Sequence, residues 1–266
     1  SRSIKTGFSA IGEQDIEEAF QIIEKSPFDF VEIQMNHWDE SWMQTNADRI
    51  QSLASEANAE LTVHLPFGTE REGLGASDPT VRADAVDHFK SCIEAAQSIG
   101  AKKGVLHVET TDDSQHLISA GKEHELFTTL QEMDNFAHKQ DLEVCVENLP
   151  NRYPDLSDLK TLVKKTDLQF TVDTGHAKVN DYSDEDVARF VSEHGKRISH
   201  FHPNDTRKSQ DEHLPFGSGT INFDQIFAAL PAKWNGTLTA EINTFDYDYI
   251  EFSGEKLEAS FDRSIR

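Results

Sequence analysis

The chain has 266 residues, of which 36% are hydrophobic, so it carries enough apolar material to fill a core and is not disordered throughout. A mean hydropathy of -0.58, with no apolar run near ~18 residues, excludes a transmembrane helix. Acidic residues outnumber basic ones by 48 to 25, and the resulting net charge of -23 disfavours nucleic acid and anionic membranes as partners.

Two cysteines, Cys92 and Cys145, are too few for a disulfide framework. Cys145 lies in an apolar run that predicts a core position, and Cys92 lies in a predicted helix. The first ten residues lack the charged-then-apolar layout of a signal peptide. These features predict a reduced, cytoplasmic setting.

Short apolar runs, which predict strands, alternate along the chain with longer segments whose apolar residues have helical spacing. The helix after the third strand is expected to begin near the Asp78-Pro79 pair, which is a helix-start signal. The helical pattern is weakest over residues 39–57 and over residues 247–263. In chain order the predicted strands are Ile4–Phe8, Phe30–Met35, Leu61–Leu65, Gly104–Val108, Leu142–Glu147, Leu168–Asp173, Ile198–His202 and Thr237–Glu241.

Eight strand–helix units with a mean spacing of about 33 residues predict a single (β/α)8 TIM barrel that spans residues 1–266. No Pro/Gly/Ser-rich linker divides the chain into domains. A doubly wound open sheet is the alternative, but that fold more often carries a Gly-rich phosphate loop after its first strand, and this chain has none.

Six consecutive predicted strands, the third to the eighth, each end in His, Asp or Glu, and the active site of such a barrel lies where its strands end. Buried carboxylates must be paired or neutralised, and a divalent metal ion does this simply. Carboxylate and imidazole ligands suit Mn, Zn, Co, Fe or Mg, and exclude a structural thiolate site. The strand-end residues are His64, His107, Glu147, Asp173 with the nearby His176, His202 and Glu241, and the loop after the seventh strand adds Asp211 and His213.

Four segments of the chain resemble the xylose-isomerase-like TIM-barrel superfamily, which includes sugar isomerases and epimerases, dehydratases and endonuclease IV. The resemblance covers nearly the whole chain and is specific for the superfamily rather than for one reaction. The segments are ENLP at 147–150, VDTGHA at 172–177, HFHPND at 200–205 and LPFGSGTINFD at 214–224.

The isomerase and epimerase branch implies one divalent ion (Mn, Mg, Co or Zn) and a small polyhydroxy carbonyl substrate that reacts through an enediolate. Glu147 and Glu241 would be the acid/base pair of that reaction, and His176 would contact a substrate oxygen. His64, His107, Asp211 and His213 are additional metal or substrate-binding candidates. The implied metal ligands are Glu147, Asp173, His202 and Glu241.

Further residues are candidates for substrate binding. Lys208 and Arg207 fall where an epimerase carries a substrate-binding Arg, and the offset fits Lys208 better. Glu32, at the end of the second strand, is expected to hydrogen-bond the substrate or to anchor a loop. His200 is expected to face the helices and to be structural. Tyr153 stands where some ketose epimerases place a further Glu, so a free-ketose 3-epimerase is not the leading member.

Three alternatives remain open. The endonuclease IV branch implies three zinc ions and cleavage of abasic DNA, although the acidic loops offer little to grip a phosphate backbone. A dehydratase of the 3-dehydroshikimate type would use the same carboxylates and metal, and a degenerate barrel would only bind its ligand. Exposed Trp and Phe side chains are compatible with a homodimer. The zinc ligands that the endonuclease branch implies are His64, His107, Glu147, Asp173, His176, His202, Asp211, His213 and Glu241.

Overall fold

The computed structural model describes residues 4–10, 15–109, 113–244 and 246–264. Within these ranges eight parallel strands close into one barrel in the order of the chain, and the last strand pairs with the first. The predicted (β/α)8 barrel is therefore confirmed. The strands are β1 Lys5–Ala10, β2 Phe30–Gln34, β3 Glu60–His64, β4 Lys103–Leu106, β5 Glu143–Glu147, β6 Gln169–Asp173, β7 Ile198–His202 and β8 Thr237–Ala240.

Helices follow the strands and form the outer layer of the barrel. The two segments with the weakest helical pattern are both helical, and the first of them is divided into two helices at Asn46. The helices are α1 Ile16–Lys25, α2 Glu40–Thr45, α3 Ala47–Glu56, α4 Pro79–Ser98, α5 Glu123–Lys139, α6 Leu156–Lys165, α7 Thr174–Val179, α8 Asp184–His194, α9 Phe223–Ala228 and α10 Tyr247–Ser264.

Local capping interactions determine where several helices begin. The side chain of Asp78 accepts a hydrogen bond from the backbone N–H of Thr80, and Pro79 occupies the first turn of α4, as the sequence predicts. α6 begins with a capping box in which Asp155 and Asp158 each accept a backbone N–H of the other. These starts define the loops that connect the carboxyl ends of the strands to the helices.

The hydrophobic core lies between the strands and the helices, where fully buried side chains such as Phe8 and Val63 pack. The interior of the barrel differs, because its central layer contains Glu32, Thr62 and other polar side chains in place of the usual branched aliphatic ones. At Gly7 a Cβ atom would lie 2.3 Å from the ring of Phe30, so only glycine leaves room for that ring.

Two sequence predictions concern the surface and the thiols. The predicted exposure of tryptophan is wrong for Trp38 and Trp234, which are each 6% exposed. The homodimer therefore stays a prediction, and exposed apolar side chains such as Phe252, which is 49% exposed, remain its basis.

Both cysteines are free and buried. No helix in the described part of the chain is long and apolar enough to cross a membrane.

Candidate metal centre

The predicted strand-end residues converge at the carboxyl-terminal mouth of the barrel, around a cavity of about 100 Å³. Larger grooves, such as one of about 810 Å³ beside α5, lie on the outer helices away from this cluster. Asp173 and His202 are fully buried and do not line the cavity. The other predicted metal or substrate-binding residues that line it are His64, His107, Glu147, His176, Asp211, His213 and Glu241.

Glu147, the last residue of β5, is held by histidines at the carboxyl ends of β3, β4 and β7. Its Oε2 accepts a hydrogen bond from His107 Nε2 at 2.7 Å, and His64 Nε2 lies 3.4 Å from the same oxygen. Its Oε1 lies 2.7 Å from Nδ1 of His202. Burial alone would raise the pKa of Glu147, but the charge of His202 and the histidine hydrogen bonds hold it well below its usual value.

Glu241, directly after β8, approaches the same imidazole from another direction. Its Oε2 lies 3.2 Å from Nδ1 of His202 and 3.6 Å from Nδ1 of His213. Burial opposes ionisation, but the charge of His202 lowers the pKa of Glu241 to about 2. Burial likewise opposes the charge on His202, yet Glu241 and Glu147 raise its pKa well above the usual value. The structure thus brings both glutamates of the predicted acid/base pair to one nitrogen atom.

Asp173 is the last residue of β6 and the N-cap of α7. Its Oδ1 accepts the backbone N–H of His176 at 2.7 Å, and its Oδ2 accepts a hydrogen bond from Asn204 Nδ2 at 3.0 Å. Burial raises the pKa of Asp173 to about 6, and the charges of Glu147 and Glu241 act in the same direction, against that of His176. The positively charged side chains around Asp173 therefore do not fully stabilise its ionised form.

A second group of titratable side chains lies beside the first, and Asp211 links its two histidines. The Oδ2 of Asp211 lies 3.2 Å from His176 Nε2, and its Oδ1 lies 3.1 Å from His213 Nε2. Burial would lower both histidine pKa values, but acidic neighbours raise the pKa of His176 to about 9 and that of His213 to about 10. His213 also donates from Nδ1 to the backbone oxygen of Glu241 at 3.1 Å, which ties the two groups together.

The donor set at the base of the cavity fits a divalent cation. It offers carboxylate oxygens and an imidazole nitrogen without a thiolate, which is the chemistry that Mn, Mg, Co or Zn accepts. The raised pKa of Asp173 indicates that protein groups do not fully offset the burial of this carboxylate. The side chains that would hold such an ion are Glu147, Asp173, His202 and Glu241.

A family model described as xylose isomerase-like TIM barrel matches residues 20–264. The chain belongs to this family. The family resemblance that the four sequence segments carry is therefore confirmed.

Individual relatives of this family member include sugar epimerases. L-ribulose-5-phosphate 3-epimerase of Escherichia coli is 24% identical over 230 residues, which span 80% of this chain and 76% of the relative. A crystal structure of a D-tagatose 3-epimerase-like protein superposes with a TM-score of 0.81 at 25% identity, covering 97% of each chain. An uncharacterised protein of Methanocaldococcus jannaschii is 26% identical over 216 residues, 77% of this chain and 79% of the relative.

Two predicted substrate-binding residues of this xylose isomerase-like barrel lie outside the cavity lining. Arg207 is exposed and forms an ion pair with Glu212. Lys208 is also exposed, and its Nζ lies 2.7 Å from Asp181 Oδ1. Both cations are already paired with surface carboxylates, and their role in substrate binding stays a prediction.

Glu32 lies below the cavity, inside the barrel, rather than in its lining. It is fully buried and accepts a hydrogen bond from Nε2 of His202 at 2.9 Å and from Nε2 of His200 at 3.0 Å. The prediction that His200 faces the helices is wrong. Strand residues two positions apart point to the same side, so His200 shares the barrel interior with His202.

Two residues that sequence reasoning did not select also belong to the site. Glu109 accepts from His107 Nδ1 at 3.0 Å and from the backbone N–H of Gly68 at 2.9 Å. Arg152 lines the cavity, and its Nη1 lies 3.3 Å from Glu109 Oε1. The sequence signal for Glu109 was its position two residues after His107 at a strand end. Residues two positions apart in a strand point to the same face, so Glu109 was expected on the same face as His107.

Proposed function

We propose that this protein is a divalent-metal-dependent sugar epimerase that inverts a carbon next to the carbonyl group of a small ketose or ketose phosphate. The observation that carries the proposal is the approach of Glu147 and Glu241 to one imidazole nitrogen, at 2.7 and 3.2 Å, at the base of a small cavity. Epimerisation needs one group to remove a proton from one face and another to return it to the opposite face. The epimerase relatives support the same reaction class.

A single divalent ion (Mn, Mg, Co or Zn) would be held by the carboxylates and the imidazole at the base of the cavity. Bound there, it supplies Lewis acidity that polarises the substrate carbonyl and acidifies the neighbouring C–H group. The ligands would be Glu147, Asp173, His202 and Glu241.

The protein side chains divide the proton transfer between them. His107 donates to Glu147 Oε2 and so helps to keep that carboxylate ionised, as a base requires. Glu241 is partly exposed at the mouth and lies 3.6 Å from His213. Its access to solvent supports a role as the partner that delivers a proton to the other face. Glu147 takes the carbon-bound proton, which leaves an enediolate. A different proton, which Glu241 relays from solvent to the opposite face, gives the epimer, and Glu147 then releases its proton to solvent.

The size of the cavity supports a small substrate. Its volume of about 100 Å³ is well below the ~300 Å³ at which pockets for drug-sized ligands begin. The centroid of the Phe67 ring lies 4.6 Å from that of His107 and 4.9 Å from that of His64. The Phe67 ring therefore gives the mouth of the barrel an apolar wall. Such a wall limits the access of water to an enediolate.

Proton exchange with solvent tests the proposal. Metal-reconstituted protein is incubated in D2O with pentuloses, hexuloses and their phosphates, and NMR follows each carbon-bound proton. We expect deuterium to enter one carbon next to the carbonyl as the epimer forms, and chelation to stop both processes. 3-Dehydroshikimate in the same panel tests the dehydratase alternative. Exchange on no ketose by fully metallated protein would overturn the proposal.

A second candidate function, phosphodiester cleavage on three zinc ions, is supported by one observation. His176, Asp211 and His213 offer nitrogen and oxygen atoms within 4.8 Å of one another, beside the proposed metal ligands. The net charge of -23 disfavours a nucleic-acid substrate because it repels the phosphate backbone. The number of metal ions per chain separates the two candidates.

A further inference from the structure

We propose that Glu32 is a positioning residue of the metal centre. From inside the barrel it holds the His202 ring with hydrogen on Nε2, so that Nδ1 faces the carboxylates of Glu147 and Glu241. The inference rests on the proposed function, because it concerns the ion that these side chains would bind. It assigns Glu32 a role other than contact with the substrate.

The two nitrogen atoms of His202 have different surroundings. Nε2 lies 2.9 Å from Glu32 Oε1 on the side of the barrel interior. Nδ1 lies 2.7 Å from Glu147 Oε1 and 3.2 Å from Glu241 Oε2 on the side of the cavity. An ionised carboxylate only accepts hydrogen bonds, so Glu32 keeps a hydrogen on Nε2. Nδ1 is then the nitrogen whose lone pair becomes available when a metal ion replaces its proton.

Glu32 is itself fixed in position by hydrogen bonds from several strands. Its Oε2 accepts from Thr239 Oγ1 at 2.9 Å, from His200 Nε2 at 3.0 Å and from Thr62 Oγ1 at 3.3 Å. Those donors belong to β8, β7 and β3, while Glu32 belongs to β2. The carboxylate cannot rotate without losing several of these bonds, so it presents Oε1 to His202 in one direction.

The support continues below Glu32 toward the opposite end of the barrel. Nδ1 of His200 lies 2.6 Å from Thr237 Oγ1, which in turn accepts a hydrogen bond from Lys103 Nζ at 3.0 Å. Nδ1 of His200 therefore accepts a hydrogen bond from the hydroxyl group of Thr237, and Nε2 donates one to Glu32. A connected network of polar side chains thus runs from the lower end of the barrel to the candidate metal ligand.

Substitution of Glu32 by Gln tests the inference, because Gln keeps the size of the side chain but can offer an N–H group to His202. That N–H group would favour hydrogen on Nδ1 and oppose metal binding there. We expect Glu32→Gln to bind Mn²⁺ about 10–100-fold more weakly than the wild type, which is the usual effect of losing an outer-shell partner. Chelator-stripped protein is titrated with Mn²⁺, and electron paramagnetic resonance measures the free ion.

Glu72→Gln is the matched control. Glu72 is also buried and lies 3.2 Å from a histidine nitrogen, Nε2 of His88, but this pair lies outside the barrel. We expect its Mn²⁺ affinity to equal that of the wild type. Thr239→Val removes one hydrogen-bond donor to Glu32 and should weaken Mn²⁺ binding by a smaller factor. This variant still tests the inference if Glu32→Gln fails to fold.

The outcomes separate the two proposals. A melting temperature that falls in metal-free Glu32→Gln while the Mn²⁺ affinity stays unchanged would show a structural role only and overturn this inference. If Glu32→Gln does not fold, an unchanged Mn²⁺ affinity of Thr239→Val would also overturn the inference. If the wild-type chain binds neither Mn²⁺ nor Zn²⁺, the proposed function fails and this inference fails with it.

Discussion

Glu147 and Glu241 come from strands on different sides of the barrel and meet at Nδ1 of His202. Two carboxylates so close to one another repel, and the buried imidazole between them offsets that repulsion in the metal-free protein. The proposed function requires a substrate carbon to contact both carboxylates in turn. Proton transfer by these two side chains is therefore the part of the proposal that single substitutions can test.

Glu241→Gln is expected to reduce deuterium exchange by at least about 100-fold, since a positioned acid or base contributes about 10²–10⁴-fold. The fold should survive because Gln has the same shape, and a thermal melt checks this. Glu132→Gln on α5, where the side chain is 58% exposed, is the control and should exchange at the wild-type rate. Full activity in Glu241→Gln would refute the proposed pair.

Some residues of the site were predictable from the sequence, and others were not. His64, Glu147, Asp173 and His202 each end a strand, so the alternation of strands and helices already placed them at the mouth. For Glu109 the period of two gave a signal for its position, but its contacts with Gly68 and Arg152 join loops that are distant in sequence and exist only once the barrel has closed.

At the scale of the elements, α7 joins fold and site. Asp173 is the N-cap of this six-residue helix, and its Oδ1 accepts the N–H of His176. One carboxylate is therefore both a helix cap and a proposed metal ligand. The cap and the ligand have different requirements. A cap needs only a side-chain oxygen, which Asn also has, whereas a ligand to a divalent ion benefits from the negative charge.

Asp173→Asn should therefore keep the N-cap bond, lose the hydrogen bond that Oδ2 accepts from Asn204, and lose metal affinity. Its metal-free form should still be more stable than that of Asp173→Ala, which also loses the cap. Asp173→Ala should lose the metal as well, and also about 1 kcal/mol of the free energy of unfolding, which is typical for a missing N-cap. Urea unfolding and Mn²⁺ titration of the stripped proteins measure the two effects. If Asn and Ala destabilised equally, the cap would not matter, and undiminished Mn²⁺ binding by Asp173→Asn would exclude its role as a ligand.

The predicted strands overlap the observed ones, but most of their ends differ by one or two residues. β7 spans Ile198–His202 as predicted, and α4 begins at Pro79 after the Asp78 cap. The division between α2 and α3 was not predictable, because it falls at Asn46 without a neighbouring Gly or Pro to mark it. The barrel-facing position of His200 was available from the period of two, but only the structure shows that it contacts Glu32.

At the scale of the whole molecule, closure of the barrel brings Glu32 on the second strand and Glu241 after the eighth to the same histidine ring. Polar side chains inside the barrel connect Glu32 and Glu241 through His202. The mouth of the barrel presents a small cavity rather than a long groove. The acidic surface adds a second constraint, since a net charge of -23 repels polyanions at ordinary ionic strength. Size and charge together favour a small sugar over a nucleic acid.

The metal content per chain tests the central claim most directly. Elemental analysis is carried out on protein purified without a chelator or a metal-affinity tag. We predict about one divalent ion per chain, lost on chelation together with deuterium exchange. About three zinc ions per chain would contradict the epimerase account and make an abasic-site duplex the first substrate to try, and a chain that takes up no ion would contradict a metal centre altogether.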